Sequence, residues 1–157
     1  MFKKLLFAVA MLLVLTACTG RRETTTVCLF DELHFGDEIL PGYKVVELEA
    51  IGDRINVQTE RLVFDFEGEE DQLDEFIDFL EEMVAFILMA TVDAITLEIT
   101  AVTDTSVTLL TITDFAAMSE EELRVYLDDY NFISLELLIE ELEEDGATCT
   151  VGENDSD

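Results

Sequence analysis

The residues with chemistry to offer are three cysteines, one histidine and a great many carboxylates. The first cysteine stands in the most specific setting. Lys3 and Lys4 precede an almost unbroken apolar run from Leu5 to Ala17, and Cys18 follows directly. That run is too short for a stable transmembrane helix, which needs about 20 apolar residues. Lysines ahead of a short apolar stretch are the pattern of a secretory signal. Leu15-Thr16-Ala17-Cys18, a leucine, two small residues and a cysteine, is what lipoprotein processing reads. The chemistry is alkylation of the Cys18 thiol with diacylglycerol and cleavage just before it. Two or three acyl chains, at ~0.8 kcal/mol per buried methylene, hold a protein on a bilayer where one chain does not. The expected location is the outer side of a bacterial cytoplasmic membrane, with residues 1–17 as signal and 18–23 as lipidated cysteine and short tether.

Cys28 and Cys149 form an even pair near the two ends of what remains. Outside the membrane such a pair is expected to be bridged. Two buried thiols or a metal pair are the alternatives, but no further cysteine or histidine lies within four residues of either. His34 is the only histidine, so any histidine-dependent triad would have to use it. Beside Asp31-Glu32 and Phe35 it reads as a half-exposed strand residue. There is no Gly-rich phosphate loop, no metalloprotease helix motif and no Cys-His zinc spacing. The expectation is a protein that is not an enzyme.

Without the signal, six basic residues (Arg21, Arg22, Lys44, Arg54, Arg61 and Arg124) face 37 acidic ones, a formal charge of −31. Nucleic acid is excluded as a partner on that ground, since a binder must bring positive charge. Half the chain is apolar and eleven residues are Phe, so it is no disordered acidic tail. Asp65, Glu67, Glu69, Glu70 and Asp71 crowd around Gly68 where a strand enters a helix, and calcium (Ca2+) takes carboxylate oxygens. The EF-hand order of ligands is absent, and a solvated helix start explains the same residues. Glutamates from Glu136 onward repel one another at i, i+4, so stability is expected to rise with ionic strength.

The elements that must position these groups follow from pattern. Residues 24–34 read as a strand, Tyr43 to Ile51 as another, and Gly52-Asp53 as the turn into Arg54 to Phe66. That strand changes phase. Ile55 and Val57 have one parity and Leu62, Phe64 and Phe66 the other, which predicts a bulge or sharp bend near Thr59 to Arg61. Glu69 to Met89 takes helical spacing, with Leu73, Phe76, Ile77, Leu80, Val84 and Ile87 as its stripe. Phe79, Met83, Phe86 and Leu88 make its second half apolar nearly all round. Such a stretch is either buried, the commoner case, or part of an interface. Ile95 to Ala101 alternates as a strand, and Val107 to Asp114 returns beside it after Asp104-Thr105-Ser106. Ser119 to Glu122 is a capping box for a short helix to about Asp129, and Ser134 caps another that Gly146 ends. Ala147 to Val151 is a last strand, and 152–157 a disordered acidic tail. The fold class is therefore α+β, a single domain over 24–151: an antiparallel sheet of five to six strands with about three helices packed on it.

In several places at once the chain resembles the YehR-like family of small bacterial lipoproteins. The resemblance rests on the lipobox, Thr26-Val27-Cys28, and the segment Gly52-Asp53-Arg54-Ile55-Asn56-Val57-Gln58-Thr59. It continues in Asp65-Phe66 before an acidic helix, in Phe132 to Leu135, and in Glu144-Asp145-Gly146-Ala147-Thr148-Cys149. It implies an α+β fold without assigned enzymatic activity, Cys18 as the lipid site, and Cys28 with Cys149 as a structural pair. The chain departs from the family in its acidity, Lys44 being the only lysine after the signal. Two function classes follow. One is an envelope interaction module for a protein or wall component, for which Phe79 to Met89 could supply the patch. The other is a cation- or small-solute-binding lipoprotein.

Overall fold

Period-two alternation builds strands in both halves of the chain, and 3.6-residue stripes build the helices that cover them. The computed structural model describes residues 23–35, 38–89, 92–127 and 132–153. Its strands are β1 (Glu23–Phe30), β2 (Leu33–Phe35), β3 (Glu38–Leu40), β4 (Gly42–Ile51), β5 (Arg54–Asp65), β6 (Ile95–Val102), β7 (Ser106–Asp114) and β8 (Thr148–Glu153). Its helices are α1 (Glu70–Leu88), α2 (Glu120–Tyr126) and α3 (Leu135–Glu144). Six strands form one antiparallel sheet in the order β6-β7-β5-β4-β1-β8, and β2 with β3 makes a separate small hairpin. The α+β class expected from sequence is the one observed.

Strand register puts every buried sheet residue on one face. Cys28 pairs with Val46 and Thr26 with Leu48, while Phe64 pairs with Val107 and Leu62 with Leu109. Helix α1 lays Leu73, Leu80, Val84 and Ile87 over Phe64, Leu97, Val107 and Leu109. Beside it, Leu123 of α2 and Leu135, Leu138, Ile139 and Leu142 of α3 cover Cys28, Val46, Leu48, Ala50 and Ile55. Ser119 and Ser134 cap their helices as expected, each accepting the backbone N–H three residues on.

The bulge lies elsewhere than the sequence suggests. Glu49 pairs with Val57 and Ala50 with Ile55, so Asn56 is the extra residue. It sets Ile55 on the same face as Leu62 and Phe64, which resolves the parity conflict. From Gln58 to Phe64 the register is unbroken. Gln58 and Glu60 thus face the helices, and it is their polarity that mimics a phase change at Thr59 to Arg61. Glu60 is held there by Lys44, whose Nζ lies 2.7 Å from its Oε1 and 5.0 Å from the centre of the Phe30 ring. Two further readings are corrected. The expected strand over 24–34 stops at Phe30 and restarts as β2, and β8 takes in Gly152 and Glu153, which sequence had placed in the tail. Residues 154–157, the signal over 1–17 and Cys18 lie outside the described residues.

Pairing also fixes direction. Because each neighbouring pair is antiparallel, β1, β5 and β6 run one way and β4, β7 and β8 the other. Glu23, the Ile51-Arg54 turn and Ile95 therefore share one end of the sheet, the leading end. Strands β5 and β6 are parallel with β7 between them, so α1 must carry the chain from the far end back to the leading end.

Candidate functional site

The sheet has a second face, and none of its residues belongs to either apolar cluster among the described residues. Val27, Leu29 and Tyr43 are exposed there, and Val45, Val57, Val63, Leu110 and Ile112 are half-buried. Arg61 and Glu47, 3.5 Å apart, form the ion pair at its centre. β-branched Val45, Val57 and Val63 on the two central strands add apolar area to this face beside Glu47, Glu49, Thr59 and Arg61, so β4 and β5 carry large apolar side chains at both parities. An antiparallel sheet can leave one face to water, but that face is ordinarily polar.

Toward the far end the open face dips into a groove of about 700 Å³. It is lined by Leu29, Asp31, Gly42, Tyr43, Val63, Asp65, Thr105 and Ser106. These residues meet because the end of β1, the start of β4, the end of β5 and the β6–β7 turn all lie there. The Asp65 N–H donates to the Pro41 carbonyl at 2.9 Å and the Phe66 N–H to the Thr105 carbonyl at 2.7 Å, which ties the rim together. Thr103 Oγ1 accepts the Ser106 N–H at 2.9 Å and closes the turn. Leu29, Tyr43 and Val63 give an apolar floor, with the Asp31 and Asp65 carboxylates on it. That combination suits an extended segment carrying both apolar and cationic groups.

The acidic cluster is only partly brought together. Asp65 Oδ1 accepts the Glu67 N–H at 3.0 Å, and Glu69 Oε2 accepts Gln72 Nε2 at 3.2 Å. The Glu70 side chain lies outside the described residues, and Asp71 points to solvent. No three His, Cys, Asp or Glu side chains among the described residues are placed to hold a metal. Cys28 and Cys149 are bridged, from directly paired positions on β1 and β8 whose Cα atoms are 4.0 Å apart. His34 is exposed with Glu32 at 3.7 Å.

The stretch from Phe79 to Met89 divides between the two readings its sequence allows: Leu80 is buried and Met83, Val84 and Ile87 pack on the core, while Phe79, Phe86, Leu88 and Met89 are exposed. One feature escaped sequence reasoning, Asp53, which the sequence marks only as a turn residue. Its Oδ1 accepts the Ser134 hydroxyl at 3.0 Å and the Glu136 N–H at 3.1 Å, so it caps α3 from 81 residues away. The Glu136 N–H first, then the Ser134 hydroxyl, hold the Asp53 carboxyl below its ordinary pKa. A depressed carboxyl stabilises the fold above its unfolded pKa and loses that contribution as pH falls through the folded one. Asp53→Ala is therefore expected to lower the melting temperature at neutral pH, with the deficit shrinking as pH drops below the carboxylate range. A deficit that stays constant down to strong acid would contradict this role.

The sequence matches no protein-family model and no curated protein. An NMR structure of a protein from Streptococcus pneumoniae TIGR4 is similar in fold, with a TM-score of 0.50. The two share 12% identity over 81% of this chain and 85% of that one. At that identity the likeness is one of architecture.

Proposed function

We propose that this chain is a bacterial lipoprotein of the YehR-like kind, held outside the cytoplasmic membrane by acyl chains on Cys18. Its domain is a non-enzymatic interaction module, and the open face of the sheet receives a protein or wall component. The observation that carries the module reading is that face: Val27, Leu29 and Tyr43 stand exposed on it beside five further large apolar residues. A surface of that kind on a soluble domain marks a contact site. The Cys28–Cys149 bridge suits an oxidising compartment. Carboxylates at its rim favour a partner with basic groups. A photo-crosslinking residue at Tyr43 is expected to give a discrete adduct in cells that Leu110→Asp abolishes, while one at Glu143, on the exposed side of α3, gives none. Equal adducts from both positions, or persistence in Leu110→Asp, would remove the sheet face from the account.

The groove favours a second reading, a cation- or small-solute-binding lipoprotein, because Asp31 and Asp65 border one concavity. Calcium titration followed by thermal melting, against KCl of matched ionic strength, separates the two. Stabilisation that saturates and is lost in Asp65→Asn would establish a site; a response no larger than that to KCl is charge screening alone.

A further inference from the structure

The leading end of the sheet carries apolar side chains that the fold leaves in water. Phe86 is 71% exposed and Met89 79%, in the last turn of α1 and at its C-cap. Phe132 is 47% exposed and Leu137 65%, on either side of the cap that starts α3. Both helix ends reach this end of the sheet for topological reasons. Helix α1 returns the chain to the start of β6, and α3 starts beside the β4–β5 turn, where the Leu135 N–H donates to the Asp53 carbonyl at 2.8 Å. The core stripe of α1 centres on Leu73, Leu80 and Val84. Phe86 lies more than a quarter turn from it, so packing within the domain cannot cover that ring.

Strand β1 starts at the same end, with Glu23 paired to Ile51. Between Cys18 and Glu23 the chain has five steps, at most about 17 Å when fully extended. Strand β5 alone, at 12 residues, is roughly 40 Å long. A tether so much shorter than the domain brings the leading end, not the far end, to the headgroups.

We infer that the leading end rests on the lipid surface, with Phe86, Met89, Phe132 and Leu137 seated at the boundary between headgroups and acyl chains. This rests on the lipoprotein reading above. Apolar rings at that depth add binding through buried area without spanning the bilayer. The formal charge of −31 opposes anionic headgroups, so a zwitterionic surface favours this seating over an anionic one. Seated so, the domain turns its far-end groove away from the membrane and toward whatever it receives.

The chain has no tryptophan, which makes single substitutions clean probes. The mature lipidated protein is reconstituted in phosphatidylcholine vesicles containing brominated lipid. Phe86→Trp and Phe132→Trp are expected to show blue-shifted emission quenched at least about twofold, as befits rings ~5–10 Å into the interface. Ile39→Trp, on the far-end hairpin, is expected to stay red-shifted and unquenched. Vesicle-bound protein in which none of the three is quenched, or all are equally, overturns the inference and leaves the anchor standing. Shifts that depend on protein concentration without quenching would assign this end to a second copy of the chain and also overturn it. Protein that fails to float with the vesicles overturns the lipoprotein reading itself.

Discussion

Replacing Cys28 and Cys149 together by alanine is expected to lower stability by about 5 kcal/mol, the largest loss from any change considered. The bridge joins residues 121 apart, and closing so long a loop removes much of the freedom of the unfolded chain. A second cost falls on the folded state. Strand β8 is the edge of the sheet, held by β1 on one side and by α3 packing. Cys28 is completely buried within the cluster that α3 covers, so the bridge is also part of that core. Alanine is the right replacement because serine would leave a buried hydroxyl in its place. Domains of this size are stable by roughly 5–15 kcal/mol, so the variant would keep only part of its margin. Thermal melting should fall by about 15 °C, and reductant should reproduce that fall in the parent but not deepen it in the variant. A shift under ~3 °C would mean that β8 is secured by pairing alone.

Gly42→Ala is expected to cost roughly 4 kcal/mol, which places it among the most damaging single substitutions. A β-carbon at this position would stand 2.0 Å from the Val63 carbonyl oxygen, and backbone cannot yield as a side-chain tip can. The φ of 142° adds strain of its own, ~1–3 kcal/mol for any residue with a β-carbon. Gly42 pairs with Phe64, so the displacement would pry β5 from β4 where Phe64 enters the core. Gly52→Ala is the control. At φ 65° it meets no atom within 4 Å, so it bears only a left-handed backbone cost of about 1–2 kcal/mol. Urea denaturation of the two variants separates clash from conformation. Equal losses would show that the β4–β5 approach at the groove floor is loose.

Local signals carried much of this fold. A turn at Gly52-Asp53, caps at Ser119 and Ser134 and the stop at Gly146 depend on neighbours in sequence, and each stands where its residues predict. Contacts between distant segments were harder to read. Gln58 and Glu60 face the helices because Lys44 answers Glu60 across the sheet, and without that partner in view the strand reads as slipping there. Strand order was hidden for the same reason, since β1 pairs with both β4 and β8. The open face left no trace because Val45, Val57, Val63, Leu110 and Ile112 have the composition of a core strand. Only the placement of α1, α2 and α3 on the opposite side shows that no described helix covers them. Phe86 is a similar case: an all-round apolar helix end is usually buried, but here the sheet lies against one side of α1 only, where Val84 and Ile87 pack, and Phe86 is on another. The Cys28–Cys149 pair was legible from the even count and the compartment the sequence leads one to expect, whereas Asp53 as a cap of α3 was not, standing 81 positions before Ser134.

The central claim is that the mature chain begins at an acylated Cys18, because the membrane-facing end and the outward groove both depend on it. Intact mass and N-terminal peptide spectra of the protein extracted from bacterial membranes test this directly. The account predicts loss of residues 1–17 and a diacylglyceryl mass on Cys18, both abolished in Cys18→Ala. An unmodified Cys18 in a chain that retains Met1, or one cut elsewhere, would contradict it.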